Sequence, residues 1–450
     1  MTEAVDSGEI IDLYIAKTLF CRRLTVEAIP SGDIDSMQAR SFYRVLPYCV
    51  CFLACAAVDL FYFPHTTVFP DEQRIFGSAI RLIESDEFWV GSDRAWEMPG
   101  TALFFAPFVW LFGPHNAIVP IRLAQAVLVT VQCGLVGHIA TRVFRNRRVS
   151  FVASCIAAIY PFILFYQGLL LSETLFNTLL LAGMAALFWW RDRGFRVDIA
   201  LVIASLCFAL ATLTKATLTF LPPFLIAATA YLAGGSLRRT INTLVAACCL
   251  YAAFMSPWWI RNAALFHTIV PLTTSSASNL YLGNNAHNPE AGIDWANEVE
   301  PEIVALANSV PDELERQRIF KEAAGNYIRN HPAAFLRAGF KKFVRFWNIV
   351  PNAAEYRSAA YSTISILSFG SILAFAIICV ARRRRQWRLL APFYLVFGYF
   401  TFVHVVTIAS LRYRFPLEPL LIILAAEPIA ALITHFRRDS TQENRNARKA

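Results

Sequence analysis

The stretch FPDEQRIF, residues 69–76, places two adjacent carboxylates, Asp71 and Glu72, directly after the first long apolar segment of the chain. An isolated Asp-Glu pair in a loop is most often a solvated turn that carries two charges. Here the pair stands where the polypeptide is expected to leave a membrane. The rest of the chain favours a catalytic loop at this position over a plain turn.

The composition excludes an ordinary soluble protein. Of the 450 residues, 56% are hydrophobic and only 16% are charged, and the mean hydropathy is +0.46. These values predict a polytopic membrane protein. The net charge of +9 could suggest a nucleic-acid partner, but the basic residues occur in short clusters between apolar runs, as in cytoplasmic loops. We therefore expect a lipid bilayer as a partner and no nucleic acid.

The apolar runs predict an all-α fold, because a helix needs roughly 17 to 25 apolar residues to cross a bilayer. Such runs lie at residues 46–64, 117–140, 149–167, 171–190, 198–214, 217–233, 241–260, 361–381, 389–409 and 415–434. The loops that would be cytoplasmic in this arrangement carry arginine, as the positive-inside rule requires. We thus expect about ten transmembrane helices, with both termini in the cytoplasm.

This topology divides the chain into five parts. They are a cytoplasmic arm that could be disordered (1–45), a transmembrane catalytic module (46–260), an extracytoplasmic helical loop (261–360), C-terminal transmembrane helices (361–434) and a cytoplasmic tail (435–450). The module contains a first extracytoplasmic loop, 65–116. Its apolar piece, 101–112, is too short to span and is expected to lie in the interface or to re-enter from outside. The second loop is expected to be helical over 311–347.

Seven charged residues within or beside the apolar segments fall on the outer side of this topology. They are Asp59, Arg122, Glu173, Lys215, Arg261, Arg412 and Arg414. Charges in membrane helices are costly and usually pair or line a polar cavity, so their shared depth beside Asp71 predicts a single site at the outer boundary. Taken singly, an arginine could instead snorkel to lipid head groups and Glu173 could cap a helix.

Carboxylates and cations at an outer membrane boundary suit one kind of transfer reaction. Nucleotide sugars and ATP are absent there, so a transferase needs a membrane-embedded donor, and a polyprenyl-phosphate sugar supplies an anionic leaving group at this depth. Arginine and lysine would stabilise the departing phosphate. A carboxylate would accept the proton of the acceptor hydroxyl.

The order of several short motifs carries a family resemblance. They are Asp71-Glu72, Met98-Pro99-Gly100, Arg122, Leu171-Ser172-Glu173, Leu213-Thr214-Lys215, Pro257-Trp258-Trp259-Ile260-Arg261-Asn262 and Arg412-Tyr413-Arg414-Phe415-Pro416. Over about residues 45–434 this order resembles the bacterial GT-C glycosyltransferases related to protein O-mannosyltransferases and lipid A aminoarabinose transferases. One departure is Met98-Pro99-Gly100, where relatives often carry His-Pro-Pro, so a histidine role before the interfacial helix is in doubt.

The resemblance implies an inverting glycosyltransferase of the bacterial inner membrane, with its active site facing the periplasm. The donor would be a polyprenyl-phosphate sugar, and the acceptor a hydroxyl-bearing lipid, polysaccharide or protein of the envelope. Asp71 would be the base or the carboxylate that positions the acceptor, and Glu72 its neighbour in the acidic pair, while Glu173 would contact substrate. The phosphate contacts would come from Arg122, Lys215, Arg261, Arg412 and Arg414.

The stretch NLYLGNNAHNPEAGIDW, residues 279–295, is a second candidate for substrate recognition. The amides of Asn284 and Asn285 suit hydroxyl-rich ligands, and Trp295 or Tyr281 could stack on a sugar ring. A plain turn region rich in Asn, Gly and Pro is the alternative interpretation.

A divalent metal is the one cofactor to consider, since some distant relatives use one. A hard cation wants several oxygen ligands, and Glu84, Asp86 and Glu87 could join Asp71 and Glu72 only if the first loop folds back. We therefore expect no metal and no other cofactor.

Two other functional classes remain open at this point. A membrane transporter or lipid flippase would also place charges in a helix bundle, but it usually has internal repeats and charges at mid-depth, which this sequence does not display. A receptor or scaffold that uses the second loop would not depend on Asp71.

Overall fold

A computed structural model of the chain describes residues 31–85, 87–89, 93–352 and 358–447, with side chains between 45 and 436. The chain divides into two compact units, Met1–Leu46 and Pro47–Ala450. Every contact described below lies within the second unit. Most of the predicted cytoplasmic arm, residues 1–30, and the end of the predicted tail, 448–450, lie outside the described residues.

The described residues form helices joined by turns and contain no strand. In chain order the helices are α1 (Ser31–Phe61), α2 (Pro70–Ser85), α3 (Gly100–Phe112), α4 (Ile118–Phe144), α5 (Arg147–Ala158), α6 (Pro161–Gln167), α7 (Glu173–Asp192), α8 (Ile199–Thr214), α9 (Leu221–Leu232), α10 (Leu237–Phe266), α11 (Ser276–Leu282), α12 (Pro301–Asn308), α13 (Glu313–Asn330), α14 (Pro332–Trp347), α15 (Ala359–Ser365), α16 (Ser371–Arg382), α17 (Trp387–Val406), α18 (Leu411–Arg414) and α19 (Glu418–Ala447). The predicted all-α class is confirmed.

The number of membrane spans is smaller by length and composition than the sequence predicts. Among the described residues, five helical segments are long and apolar enough to cross a bilayer. They are Ile118–Phe144, Leu237–Phe266, Ala359–Arg382, Arg384–Val406 and Leu411–Phe436. A sixth arises if α5 and α6 count together. Each of the ten predicted runs overlaps a helix, but the count of ten spans and the layout of the loops remain predictions.

The predicted span 149–167 is broken in its middle. Helix α5 ends at Ala158, and α6 begins at Pro161 with its axis turned by 51°. Proline has no backbone N–H and clashes with the preceding turn of a helix, so it starts helices more readily than it continues them. The break therefore follows from Pro161.

Small residues let the helices of the bundle approach closely, as is common in membranes. Helix α4 packs against α5 and α7, and α7 packs against α8. A Cβ atom added to Gly137 of α4 would lie 2.3 Å from Ser154 Oγ, and one added to Gly183 of α7 would lie 2.6 Å from Phe208. The outer surface of the bundle exposes large apolar side chains such as Phe224, as a lipid-facing surface does.

Residues 70–76, which were predicted to lie in a loop, are instead the start of a helix. Helix α2 begins at Pro70 and carries Asp71 and Glu72 in its first turn. Proline at the first position and acids in the first turn both favour a helix N-terminus. The apolar piece that follows forms α3, and α2 packs against it.

Residues 267–352 form short helices around a small core rather than one regular element. Helix α11 packs against α13, with Tyr281 and Phe320 buried between them at a ring-centroid distance of 5.4 Å. The predicted helical stretch 311–347 is divided into α13 and α14, because Pro332 begins a new helix after His331. Helix α14 packs against the last turns of α17.

Candidate functional site

Four of the predicted site residues meet in one cluster of ion pairs. Asp71 lies in the first turn of α2, and Glu173 is the first residue of α7. Lys215 follows the last residue of α8, and Arg412 lies in the short helix α18. Four separate elements thus bring their ends to one place. We call this end of the bundle the network end.

Glu173 is the buried centre of the cluster, with no exposed side-chain surface. Its Oε1 accepts a hydrogen bond from Lys215 Nζ at 3.0 Å and another from Arg412 Nε at 2.5 Å. Arg412 Nη2 lies 3.4 Å from the other carboxylate oxygen. The N-terminus of α7 also favours a negative charge at this position. One carboxylate therefore compensates two cations.

Arg412 continues the cluster outward to the acidic pair. Its Nη1 donates to Asp71 Oδ2, and Asp71 Oδ1 pairs with Arg74 Nη2 at 2.9 Å. Arg74 in turn donates from Nε to Glu97 Oε1 at 2.6 Å. Arg74 and Glu97 were not predicted as site residues. The full ion-pair network is therefore Lys215–Glu173–Arg412–Asp71–Arg74–Glu97.

The network carries three cations and three carboxylates, so its formal charges cancel. Burial disfavours the charged form of Asp71, but the positive charges of Arg412 and Arg74 outweigh it and lower the pKa of Asp71. Burial raises the pKa of Glu97 despite its bond to Arg74. The side chains of Asp71 and Arg74 are each 35% exposed, so the network is most accessible at this pair.

Aromatic rings lie beside the part of the network formed by Lys215 and Arg412, which we call its cation end. The rings of Tyr413 and His404 stack with a centroid distance of 4.7 Å and an interplanar angle of 5°. Lys215 Nζ lies 5.4 Å from the centroid of the Tyr413 ring, within the range of a cation–π contact. The stack continues to Phe346 of α14, whose ring centroid lies 5.6 Å from that of His404.

Glu72 lies next to Asp71 in the sequence but not in the network. Its Oε2 accepts from the backbone N–H groups of Val68 and Phe69 at 2.7 and 2.8 Å, and its Oε1 accepts from Leu170 N at 2.7 Å. The contact with Phe69 is the carboxylate half of a capping box at the start of α2. The fully buried carboxylate of Glu72 therefore holds α2 in place.

Three of the predicted phosphate contacts are engaged elsewhere with protein groups. Arg122 donates to the carbonyls of Pro64 and Thr66, at 2.6 and 3.2 Å. Arg261 donates to the carbonyls of Phe88 and Arg94, both at 2.7 Å.

The buried Arg414 pairs with Glu418 at 3.0 Å and donates to the carbonyl of Asn348. Arg122, Arg261 and Arg414 thus fasten loops and helices in the described part of the chain, and none of them has an ion pair with a network carboxylate there.

The polar side chains of the Asn-rich stretch, residues 279–295, are also largely engaged in hydrogen bonds with other groups of the protein. Asn284 donates to the carbonyls of Leu280 and Val406, and its Oδ1 accepts from Lys342 Nζ at 2.9 Å. Asn285 is buried and bonded to three backbone carbonyls. Trp295 is 37% exposed and packs edge-on against Phe320. These residues shape the second loop, and their predicted contact with substrate stays a prediction.

The described residues contain no group of three His, Cys, Asp or Glu side chains close enough to hold a metal ion. Helix α2 separates Asp71 from Glu84 by about 20 Å along its axis, so the folding back that a shared metal would require does not occur along this helix. Asp86 lies outside the described residues. The expectation of no metal remains a prediction.

The arrangement combines two chemical capacities. Lys215 and Arg412 bring positive charge to one end of the network, where the lysine gives one hydrogen bond to a side chain in the described part of the chain. An anion beside them would gain charge-assisted hydrogen bonds. Next to Arg412, the partly exposed Asp71 carboxylate can accept a proton.

Two solved structures of one enzyme share the fold of this chain. The chain aligns with the oligosaccharyltransferase AglB of Archaeoglobus fulgidus, in complex with an inhibitory peptide and a dolichol-phosphate, at a TM-score of 0.53 and 12% identity. The alignment covers 90% of this chain and 52% of that one. The apo form of the A. fulgidus enzyme gives a TM-score of 0.52 at 11% identity, over 89% and 52% of the two chains. The chain has a GT-C fold.

A third GT-C structure, ArnT from Cupriavidus metallidurans bound to undecaprenyl phosphate, aligns at a TM-score of 0.42 and 14% identity over 88% of this chain and 77% of that one. Neither a protein-family model nor a curated protein sequence matches the chain. The chain spans about half the length of the oligosaccharyltransferase structures that it matches. The GT-C fold agrees with the resemblance that the motif order carries, while the count of ten spans and the loop layout stay predictions.

Proposed function

We propose that the protein is an integral-membrane glycosyltransferase that transfers a sugar from a polyprenyl-phosphate donor to an extracytoplasmic hydroxyl. The observation that carries the proposal is the ion-pair network at one end of a GT-C bundle. Its members come from elements far apart in sequence, and buried charges of this kind in membrane helices usually serve function.

The donor phosphate is assigned to the cation end. Lys215 and Arg412 share the buried Glu173 as their counterion, so a phosphate entering beside them joins two cations that are already held in position. Such preorganised charge stabilises a leaving group without further reorganisation. The A. fulgidus oligosaccharyltransferase, which shares the fold, was solved with dolichol-phosphate bound, and a polyprenyl phosphate is the corresponding ligand here.

Proton transfer is assigned to Asp71, the most exposed carboxylate of the network. The acceptor oxygen attacks the anomeric carbon, the bond from that carbon to the phosphate oxygen breaks, and the polyprenyl phosphate leaves as an anion. Asp71 takes the proton of the acceptor hydroxyl. Attack from the face opposite the leaving group in a single displacement gives inversion.

The remaining assignments follow the topology rather than the site. We place the protein in the bacterial inner membrane, with both termini in the cytoplasm and the network end toward the periplasm, because the loops at the opposite end carry the arginine clusters. The acceptor is a lipid, polysaccharide or protein of the envelope. As the sequence predicts, we expect the reaction to use no metal cofactor.

The test compares cells that lack the gene with cells that carry it again. We expect the deletion to accumulate a polyprenyl-phosphate sugar and to lose one glycoconjugate, both measured by mass spectrometry of lipid and envelope extracts. Restoring the wild-type gene should reverse both changes, whereas Lys215→Met should not. Unchanged donor and glycoconjugate pools, together with an altered solute flux, would contradict the proposal.

A further inference from the structure

The second extracytoplasmic segment contains a helix with an unusual distribution of side chains. On α14, the large apolar side chains Leu336, Phe340, Phe343 and Val344 are 70, 68, 46 and 50% exposed. These positions are spaced by three and four residues, so they share one face of the helix. A continuous face of this size exposed to water would be costly in a soluble domain.

The opposite face of α14, which packs on the protein, is the less apolar one. It buries the small residues Ala338 and Gly339, the cation Lys342 and one large ring, Phe346. A helix of a soluble domain would turn its large apolar residues inward and its lysine outward. This arrangement is the reverse of that in a soluble domain, and it indicates that the outward face of α14 contacts an apolar medium.

The contacts of α14 with α17 indicate the level at which its apolar face lies. Trp347 Nε1 donates to Thr401 Oγ1 at 3.2 Å, and Lys342 Nζ lies 3.4 Å from the carbonyl of Val406. Thr401 and Val406 belong to the last turns of α17, within Arg384–Val406, a segment long and apolar enough to cross a bilayer. Five residues of helix cover about 8 Å, and interfacial helices sink their apolar face roughly 5–10 Å into the boundary between head groups and acyl chains.

We propose that α14 is an interfacial membrane helix whose apolar face, defined by Leu336, Phe340, Phe343 and Val344, is embedded in bilayer lipid at the network end. The occupant of the face is the acyl-chain boundary of the leaflet there. The second segment is therefore seated on the membrane rather than projecting from it as a water-soluble domain.

The embedded helix also bears on the position of the ion-pair network. Phe346, on the protein side of α14, stacks on His404, which stacks on Tyr413 beside Lys215. A helix anchored in lipid at this depth therefore keeps the cation end of the network close to the membrane surface. A lipid-linked phosphate would be presented at that same level.

The test places the photoreactive amino acid p-benzoyl-phenylalanine at Phe340 and illuminates the purified protein in nanodiscs of phosphatidylethanolamine and phosphatidylglycerol. The matched control carries the same amino acid at Glu322 of α13, whose side chain is 58% exposed on a strongly charged helix. We expect intact-mass spectrometry to detect a phospholipid adduct at position 340 and none above background at position 322.

Three outcomes would overturn the proposal: equal lipid adducts at the two positions, no adduct at position 340, or a cross-link from position 340 to a second copy of the chain. None of these readouts uses glycosyl transfer. The test therefore succeeds or fails independently of the proposed function.

Discussion

Replacing Glu173 by glutamine removes the charge that two cations share. Glutamine keeps the shape of the side chain, but Lys215 and Arg412 then lose their buried counterion. Breaking a buried ion pair by removing one partner costs about 3–5 kcal/mol. The two cations keep 14 and 27% of their side-chain surface exposed, and solvent screening reduces the expected loss to about 2–4 kcal/mol.

The loss is measured by thermal unfolding of the detergent-solubilised protein, followed by size-exclusion chromatography with fluorescence detection. Because the vacated position lies between two cations, added polyprenyl phosphate should stabilise Glu173→Gln more than the wild type. A ligand at a hundred times its Kd contributes about 2.7 kcal/mol, so most of the loss can be recovered.

The control is Glu427→Gln, which removes another buried carboxylate shared by two cations. Glu427 pairs with Arg383 at 2.8 Å and with Arg382 at 3.4 Å, away from the network. It should lose stability without any rescue by polyprenyl phosphate. The reasoning is refuted if Glu173→Gln is as stable as the wild type, or if both variants respond to the lipid phosphate equally.

Three further predictions concern the supports around the network. Arg261→Met should lower the free energy of unfolding by about 1–2 kcal/mol, since two backbone carbonyls lose their charged donor, one at an exposed and one at a partly buried position. A raised donor KM at unchanged stability would instead support the phosphate contact predicted from the sequence. Burial lowers the pKa of Lys342 to about 8, so the folded state binds fewer protons than the unfolded state above that pH. Stability should therefore rise by at most about 3 kcal/mol between about pH 8 and 10.5, and thermal scans of Lys342→Met should show no such slope. Gly283→Ala would put a Cβ 1.9 Å from the carbonyl oxygen of Thr407 and should cost about 1–3 kcal/mol in the same scans, whereas Gly77→Ala, with open space around it, should be neutral or slightly stabilising.

The sequence predicts the positions of the helices well because lipid demands long apolar runs. Each predicted run overlaps a helix, and the short apolar piece 101–112 is the separate helix α3. The internal break of the third run and the helical start at Pro70 were missed, although both carry a proline signal that marks a helix beginning. What composition does not specify is whether each helix crosses the bilayer, since buried and lipid-facing apolar helices look alike in sequence.

The site was predicted in part, because topology gives the depth of a charge but not its direction around the bundle. Lys215 and Arg412 share the outer level with Arg122 and Arg261, yet only the first pair points to the network. Arg74 could have been found once α2 was recognised as a helix, since it stands three residues after Asp71 on the same face.

Glu97 and Glu72 show two reasons why the sequence alone does not identify which residues belong to the network. Glu97 reaches the network through a turn whose path has no periodic signal. Glu72 has the spacing of a capping box, which indicates a helix support rather than a catalytic partner for Asp71.

The most direct test of the central claim measures donor consumption in membranes of deletion cells that carry each variant and retain the native acceptors. With a labelled polyprenyl-phosphate sugar, Asp71→Asn should slow sugar transfer by about 10²–10⁴-fold, because the proton acceptor is lost. Asp93→Asn, which changes a carboxylate of the same segment that pairs with Arg316 at 2.7 Å outside the network, should transfer at nearly the wild-type rate. Transfer by Asp71→Asn at the wild-type rate, with protein abundance equal in all membranes, would contradict the account.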